Sequence, residues 1–220
     1  MPTNFLNPWR LLGYWLLSFS MAILIVASWP LIKMEGLYQL NRFKQIHFVI
    51  EPKDIARLDP HFAELIRQGN LQIITPVDTN FALVIPTIGL NAKIFAEVDL
   101  ANEEEYNKIL TQGVAHALGS ALPGQKGTIY LFAHSADLSF NYSEINALFY
   151  LLNKLKVGDE VNIFYNGWRY LYQVTEKNVV SPTSTGFLNN TGEERLVLQT
   201  CWPPGTRWQR LVLLAKPKYI

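Results

Sequence analysis

The run from Leu11 to Ile32 holds no charged residue and is bracketed by Arg10 and Lys33. An α-helix over these positions, at about 1.5 Å per residue, would be roughly 33 Å long and would cross a hydrocarbon core of about 30 Å with slight tilt. Trp15 and Trp29 fall near its ends, where interfacial aromatics sit, and Pro30 falls in the last turn, where a broken backbone bond can reach water. A cleaved signal peptide is the competing reading. Its apolar region would be about 7 to 15 residues long and followed by a small-x-small site, and Ala27-Ser28-Trp29 is a poor one. The expectation is an uncleaved, single-pass membrane anchor over 11–32 behind a short tail, 1–10. Lys33, Arg42 and Lys44 outnumber Arg10, which argues against export of the chain beyond the anchor, although long exported domains often escape that rule.

The anchor accounts for the apolar excess of the chain, 49% hydrophobic and 17% charged, where ordinary soluble domains carry roughly a quarter charged residues. What remains of the 220 residues is enough for one sizeable core. Lys and Arg number 19 against 18 for Asp and Glu, a net charge of +1 that offers no electrostatic footprint for nucleic acid. A single cysteine excludes a disulfide framework and any multi-Cys zinc site.

Residues 33–79 read as a partly helical stalk, because Ile55, Leu58, Phe62, Leu65 and Ile66 form one apolar helical stripe that Gly69-Asn70 would stop. Asp78-Thr79-Asn80 then punctuates, and 80–220 has a β texture. Its strand-like runs are Phe81–Ile85, Ala92–Val98, Val114–Ala117, Gly127–Ala133, Glu160–Tyr165, Trp168–Val174, Arg195–Cys201 and Arg207–Lys216. Two helical patterns interrupt them, Asn102–Thr111 and Ser143–Lys156. Asn166-Gly167 between two runs predicts a type I′ hairpin. The fold expected is mainly β with a few helices, a small barrel or sandwich that needs nothing from the anchor.

Chemistry has few places to reside. No glycine-rich phosphate loop follows a strand, and His47, His61, His116 and His134 lack metal-ligand spacing, so neither a metal nor a cofactor is expected. Cys201 ends a strand-like run before the rigid Trp202-Pro203-Pro204-Gly205 and reads either as a packed thiol or as a nucleophile at a rim. His134 ends another such run. A Cys–His pair is a minimal acyl-transfer apparatus, in which imidazole moves the proton and thiolate attacks a carbonyl. An oxyanion donor could come from Arg207 or Arg210, although each could equally be a surface arginine. Side chains alternate across a strand, so Trp208, Arg210, Val212 and Leu214 share one face and Arg207, Gln209, Leu211 and Leu213 the other. In a regular strand only one of the two arginines can point toward Cys201.

Over about residues 80–218 the chain resembles the sortases, membrane-anchored cysteine transpeptidases of bacterial surfaces. Ile85-Pro86-Thr87-Ile88-Gly89-Leu90 resembles the opening strand of that family. Gly113-Val114-Ala115-His116 and Gly119-Ser120-Ala121-Leu122-Pro123-Gly124 resemble the segment ahead of its catalytic histidine. Thr128 to Ser135 resembles the strand ending in that histidine, with Ala133 where Gly is usual. Val157-Gly158-Asp159-Glu160, Leu198-Gln199-Thr200-Cys201 and Arg210-Leu211 come next, in the family's order.

The resemblance implies an eight-stranded sortase-like barrel with Cys201, His134 and Arg210 as catalytic residues, Arg207 facing away or lying in a turn, and His116 as helper or packing residue. It implies cleavage of a Leu-Pro-x-Thr-Gly-like sorting signal after Thr through a thioester, and transfer of the acyl group to an amine of a peptidoglycan precursor or a pilin lysine. Substrate contacts are expected from Thr200, Ala133, Val180 and Phe187, the last two from the loop 181–194 and its edge. The partners would be sorting-signal-bearing surface proteins or pilins, with the chain held in a bacterial cell membrane and its barrel outside. Glu193 and Glu194 do not make an assignable calcium pocket, and Asp59-Pro60-His61-Phe62 loosely resembles the lid motif of pilin-type members. A Cys–His hydrolase and a catalytically silent binding module on the same barrel are the alternatives.

Overall fold

Pro8–Phe43 form one helix, α1, in the computed structural model, which describes residues 8–44, 46–50, 71–136, 147–189 and 192–218. Its stretch Pro8–Val26 is long and apolar enough to cross a membrane, and none of that stretch is buried against the rest of the chain. The helix does not end with the apolar run at Ile32, because Lys33, Glu35, Gln39 and Asn41 change its polarity without breaking it. At about 1.5 Å per residue it is roughly 54 Å long, well beyond one hydrocarbon core.

The surplus length docks. Met34 and Tyr38 pack against the interior of the β-domain, and the Glu35 carboxylate meets Lys154 Nζ at 2.7 Å. That hydrogen bond holds the Glu35 carboxyl below its usual range and the Lys154 ammonium above its own. Lys154 also lies over the Tyr38 ring, 5.5 Å from its centroid. The start of the stalk is therefore part of the packing of the domain.

A two-stranded parallel sheet follows, β1 (His47–Ile50) with β2 (Leu71–Ile74). Its Ile50 and Ile74 pack with Val84 of the main domain. The segment between them, which carries the expected apolar stripe and Asp59-Pro60-His61-Phe62, lies outside the described residues.

The main domain has β3 (Phe81–Ile85), β4 (Leu90–Val98), α2 (Glu103–Leu110), β5 (Val114–Ala117), β6 (Thr128–Phe132), β7 (Glu160–Tyr165), β8 (Trp168–Val180), β9 (Arg195–Trp202) and β10 (Gln209–Pro217). Eight of these strands close a barrel in the order β10-β8-β7-β3-β4-β5-β6-β9. The pairs β4–β5 and β6–β9 are parallel and the other barrel pairs are antiparallel.

Period-two alternation gives the wall two apolar faces. Leu131, Leu196, Leu198, Leu211 and Leu213 point into the barrel, whereas Tyr130, Phe132, Val197 and Val212 build a second cluster outside it. Tyr106, Ile109 and Leu110 of α2 cover that outer cluster, together with Phe187 and Leu188 of the loop after β8. The wall is thus buried on both sides where β6 and β9 meet, which is why β6 reads as an unbroken apolar run.

The hairpin at Asn166-Gly167 has positive φ at both residues, 48° and 80°, as a type I′ turn requires. The second helical pattern comes out differently. Tyr150–Lys154 is a 3₁₀ segment, and Ser143 to Asn146 lie outside the described residues. Phe149, Leu152 and Leu155 recur every third residue and are fully buried, the spacing of a 3₁₀ rather than an α stripe. β8 runs six residues past Val174, because its outer half pairs with β10 up to Val180 opposite Arg210. Glu176, Lys177 and Asn178 conceal that extension in the sequence.

His116 is 1% exposed on β5, and its ring lies 5.5 Å from that of Phe81. Its Nδ1 accepts the Glu97 N–H at 3.4 Å, and its Nε2 meets the Ala121 carbonyl at 3.0 Å and the Ser120 hydroxyl at 2.8 Å. Burial holds the imidazole below its ordinary range, against the opposing effects of the Ala121 carbonyl and the Glu97 carboxylate. Below about pH 6.5 the unfolded chain takes up a proton that the folded chain resists, so the contribution of this group is complete above that pH and is lost as pH falls through the folded value. The urea midpoint of the detergent-solubilised chain should therefore drop further between pH 7 and pH 5 than that of His116→Gln. Equal drops would contradict a buried neutral imidazole.

Candidate active site

The sequence brings Cys201, His134 and Arg210 from three strands that end at one rim. In β9, Cys201 shares its face with Gln199 and Val197, and Val197 belongs to the outer cluster. In β10, Arg210 shares its face with Val212 of the same cluster. Cys201 and Arg210 are direct partners in the antiparallel ladder, and Arg210 is in turn the direct partner of Val180. Three strands thus present Val180, Arg210 and Cys201 as one row on the outer face.

β6 approaches β9 from the other side. Its paired register ends at Phe132 opposite Gln199, but the contact continues for one more residue. The Ala133 N–H donates to the Gln199 carbonyl at 3.3 Å, and the buried Thr200 hydroxyl donates to the Ala133 carbonyl at 2.8 Å. The next residue, His134, shares the parity of Tyr130 and Phe132 and so belongs to the outer face. Its carbonyl accepts the Phe149 N–H at 3.1 Å, which ties the strand end to the 3₁₀ segment.

His134, Cys201 and Arg210 all line one groove of about 470 Å³. Its polar end is completed by Arg207 and Thr206, and its apolar wall by Leu100, Tyr106, Leu110, Tyr130 and Phe132. The Arg210 Nη1 donates to the carbonyls of Arg207 at 3.2 Å and Gln209 at 3.1 Å, which fixes the guanidinium beside the turn. Arg207 itself precedes β10, lies exposed in the turn and contributes to the rim. Tyr130 is within electrostatic reach of both Arg210 and Cys201, and burial pushes its phenol far above the ordinary range, so it stays neutral. Ser135 also lines the groove, and its buried hydroxyl has no hydrogen-bond partner among the described residues.

The other expected residues fall into place unevenly. Thr200 and Ala133 touch the groove, but the Thr200 hydroxyl is committed to joining the two strand ends and the Ala133 methyl sits in the interior core. Val180 and Phe187 are not among the groove-lining residues. They pack on the outer cluster behind it, Phe187 with its ring 6.4 Å from Tyr130. His116 is likewise outside the lining. Glu193 pairs with Lys216 at 3.4 Å, and Glu194 accepts from the Gly124 N–H and the Tyr172 hydroxyl.

Sequence reading missed the aromatic wall. Tyr130 and Phe132 could have been found by counting back in twos from His134, whereas Tyr106 depends on where α2 docks. α2 begins at the Asn102 cap, whose side chain accepts the Glu105 N–H at 3.2 Å.

In chemical terms, the groove gathers a thiol, an imidazole and a guanidinium beside an apolar aromatic wall, the set that acyl transfer through a thioester requires. Comparison with known proteins gives the family. A sortase-domain family model matches residues 83–218. The solved structure "Sortase C1 of GBS Pilus Island 1" is 27% identical, covers 64% of this chain and superposes with a TM-score of 0.54. The match spans 64% of the length of that sortase, less than two thirds. A lid mutant of sortase A from Corynebacterium diphtheriae is 25% identical over 85% of this chain and 94% of its own, with a TM-score of 0.54. Sortase C-1 from Actinomyces oris, at 23% identity, 86% and 98% coverage and a TM-score of 0.55, is a likeness of fold. Among curated proteins no match was found.

Thr200→Val removes the donor that joins the two strand ends and leaves the Ala133 carbonyl buried without it. The loss of stability should be about 1–3 kcal/mol, read from the urea midpoint. A change under about 0.5 kcal/mol would mean that the bond is not needed to hold the ends together. With the match spanning most of the barrel and the groove built as described, the chain belongs to the sortase family.

Proposed function

We propose that the chain is a membrane-anchored transpeptidase that cleaves a Leu-Pro-x-Thr-Gly-like sorting signal and joins its Thr to an amine. The observation that carries this reading is the register: Arg210 lies directly opposite Cys201, and His134 follows the strand bound to the other edge of β9. The Cys201 thiolate attacks the Thr carbonyl carbon, and His134 donates a proton to the nitrogen that leaves with Gly. Arg210 holds the carbonyl oxygen as charge develops on it. An incoming amine then attacks the thioester and gives its proton to His134, and the C–S bond breaks to restore the Cys201 thiolate beside a protonated His134.

The acceptor is an amine of a peptidoglycan precursor or a pilin lysine, and the donors are surface proteins or pilins. One related structure is described as the sortase of a pilus island, which supports the pilin option. α1 holds the enzyme in a bacterial cell membrane with the barrel outside, its apolar part, which includes most of Pro8–Val26, supplying the crossing and its continuation to Phe43 docking on the barrel. The domain plan is an anchor over 11–32, a stalk to about 79 and the catalytic barrel over 80–220.

The test is turnover of a Leu-Pro-x-Thr-Gly peptide with and without an added amine, products identified by mass. An amide product in the presence of amine is expected; free acid alone would make the enzyme a hydrolase. Cys201→Ala and His134→Ala should each lower turnover by about 10³-fold or more. Arg210→Lys keeps the charge but loses the planar fork, and should lower it by about 10²-fold. Arg207→Lys, in an exposed turn, should change it by less than about threefold. The reverse ranking of the two arginines would assign the oxyanion to Arg207.

A further inference from the structure

The loop between β8 and β9 has little apolar surface with which to hold itself, since Phe187 and Leu188 of its 3₁₀ turn Gly186–Leu188 supply most of it. A single side chain compensates. Arg195, the first residue of β9, donates from Nε to the Thr128 hydroxyl at 2.8 Å and from Nη2 to the Phe187 carbonyl at 2.8 Å, and Nη2 also meets the Asn189 carbonyl. Its backbone is pinned as well, its N–H donating to the Gly127 carbonyl at 3.0 Å. One planar fork thus spans from the start of β6 to two carbonyls of the loop, a geometry that an ammonium cannot reproduce.

The loop that Arg195 holds lies against the groove. Phe187 packs on Tyr130, whose ring is 5.6 Å from that of Phe132, and Phe132 lies 6.5 Å from Tyr106. Leu188 and Thr128, on either side of the fork, line a second cavity of about 450 Å³. That cavity shares Leu100 and Tyr130 with the one containing Cys201, so the two adjoin at these residues. An extended peptide rises about 3.3 Å per residue. With its Thr at Cys201, the Leu of Leu-Pro-x-Thr would lie about 10 Å away, and Tyr130 is about 13 Å from His134 along β6. For a peptide running from Cys201 toward Tyr130, the Leu-Pro end would fall where the two cavities adjoin, beside the wall that Arg195 orders.

The geometry points to Arg195 as a positioning residue that sets the affinity for the Leu-Pro end of the acyl donor by clamping the loop 186–189 onto β6. This rests on the transpeptidase reading for its substrate and on hydrogen bonds alone for the clamp, and the two are tested separately. In the full chain in detergent micelles, Arg195→Lys should speed hydrogen exchange at the Leu188 and Asn189 amides by about tenfold or more while β10 amides change by less than about twofold. For a quenched Leu-Pro-Glu-Thr-Gly peptide, KM should rise by about tenfold with kcat within about threefold, and alkylation of Cys201 by iodoacetamide should keep its rate. Phe187→Ala should reproduce the rise in KM. Unchanged loop exchange overturns the clamp. Faster exchange with unchanged KM, or a fall in kcat alone, overturns the role in affinity. A wild-type chain that turns over no sorting-signal peptide refutes the transpeptidase reading and the substrate role with it, while the exchange result still decides the clamp.

Discussion

The parallel pairing of β6 with β9 is the constraint on which the rest of the barrel depends. These strands are far apart in the chain, and their five paired positions, from Thr128–Arg195 to Phe132–Gln199, close the barrel. The pairing buries Ile129, Leu131, Leu196 and Leu198 inside and Tyr130, Phe132 and Val197 outside, all at 8% exposure or less. A slip by one residue would exchange the two faces and place His134 and Cys201 on opposite sides of the wall. The same contacts that stabilise the core therefore set which side chains can meet.

Both ends of that pairing are locked by polar groups from the strands themselves. At the Cys201 end, the Thr200 hydroxyl and the Gln199 carbonyl hold Ala133, and the strand end carrying His134 is further tied through Phe149 to the 3₁₀ segment. At the far end, Arg195 and Thr128 are joined directly, and the Glu194 carboxylate accepts from the Gly124 N–H at 2.9 Å and the Tyr172 hydroxyl at 2.6 Å. The 3₁₀ segment also carries Lys154, the partner of Glu35 on α1. The helix that leaves the apolar span is consequently packed on an element that touches the His134 backbone.

How much of this was legible depended on whether a feature is local. Strand alternation and ordered landmarks suffice to bring Cys201, His134 and Arg210 to one rim, since each lies at a strand end marked by a turn. The hairpin at Asn166-Gly167 is legible because two positive φ values admit few residues. The continuation of α1 past Ile32 was not, because polarity and helicity are separate properties and Lys33 alters only the first. The strands β1 and β2 were hidden in a segment read as stalk, since four-residue parallel strands owe their stability to Val84 and Phe164 of the barrel. The aromatic wall was missed for a similar reason: Tyr106 joins Tyr130 and Phe132 only through the docking of α2. Arg195 gave no signal at all, its role residing in acceptors from two other segments.

The most direct test of the central claim, that this barrel rim forms a thioester with a sorting signal, is the intact mass of the full chain after brief mixing with excess Leu-Pro-Glu-Thr-Gly peptide and acid quenching. The account predicts a mass increase equal to the peptide portion ending at Thr, located to the fragment containing Cys201 and discharged by an added amine. A chain whose Cys201 is alkylated by iodoacetamide yet never acquires that mass would contradict it.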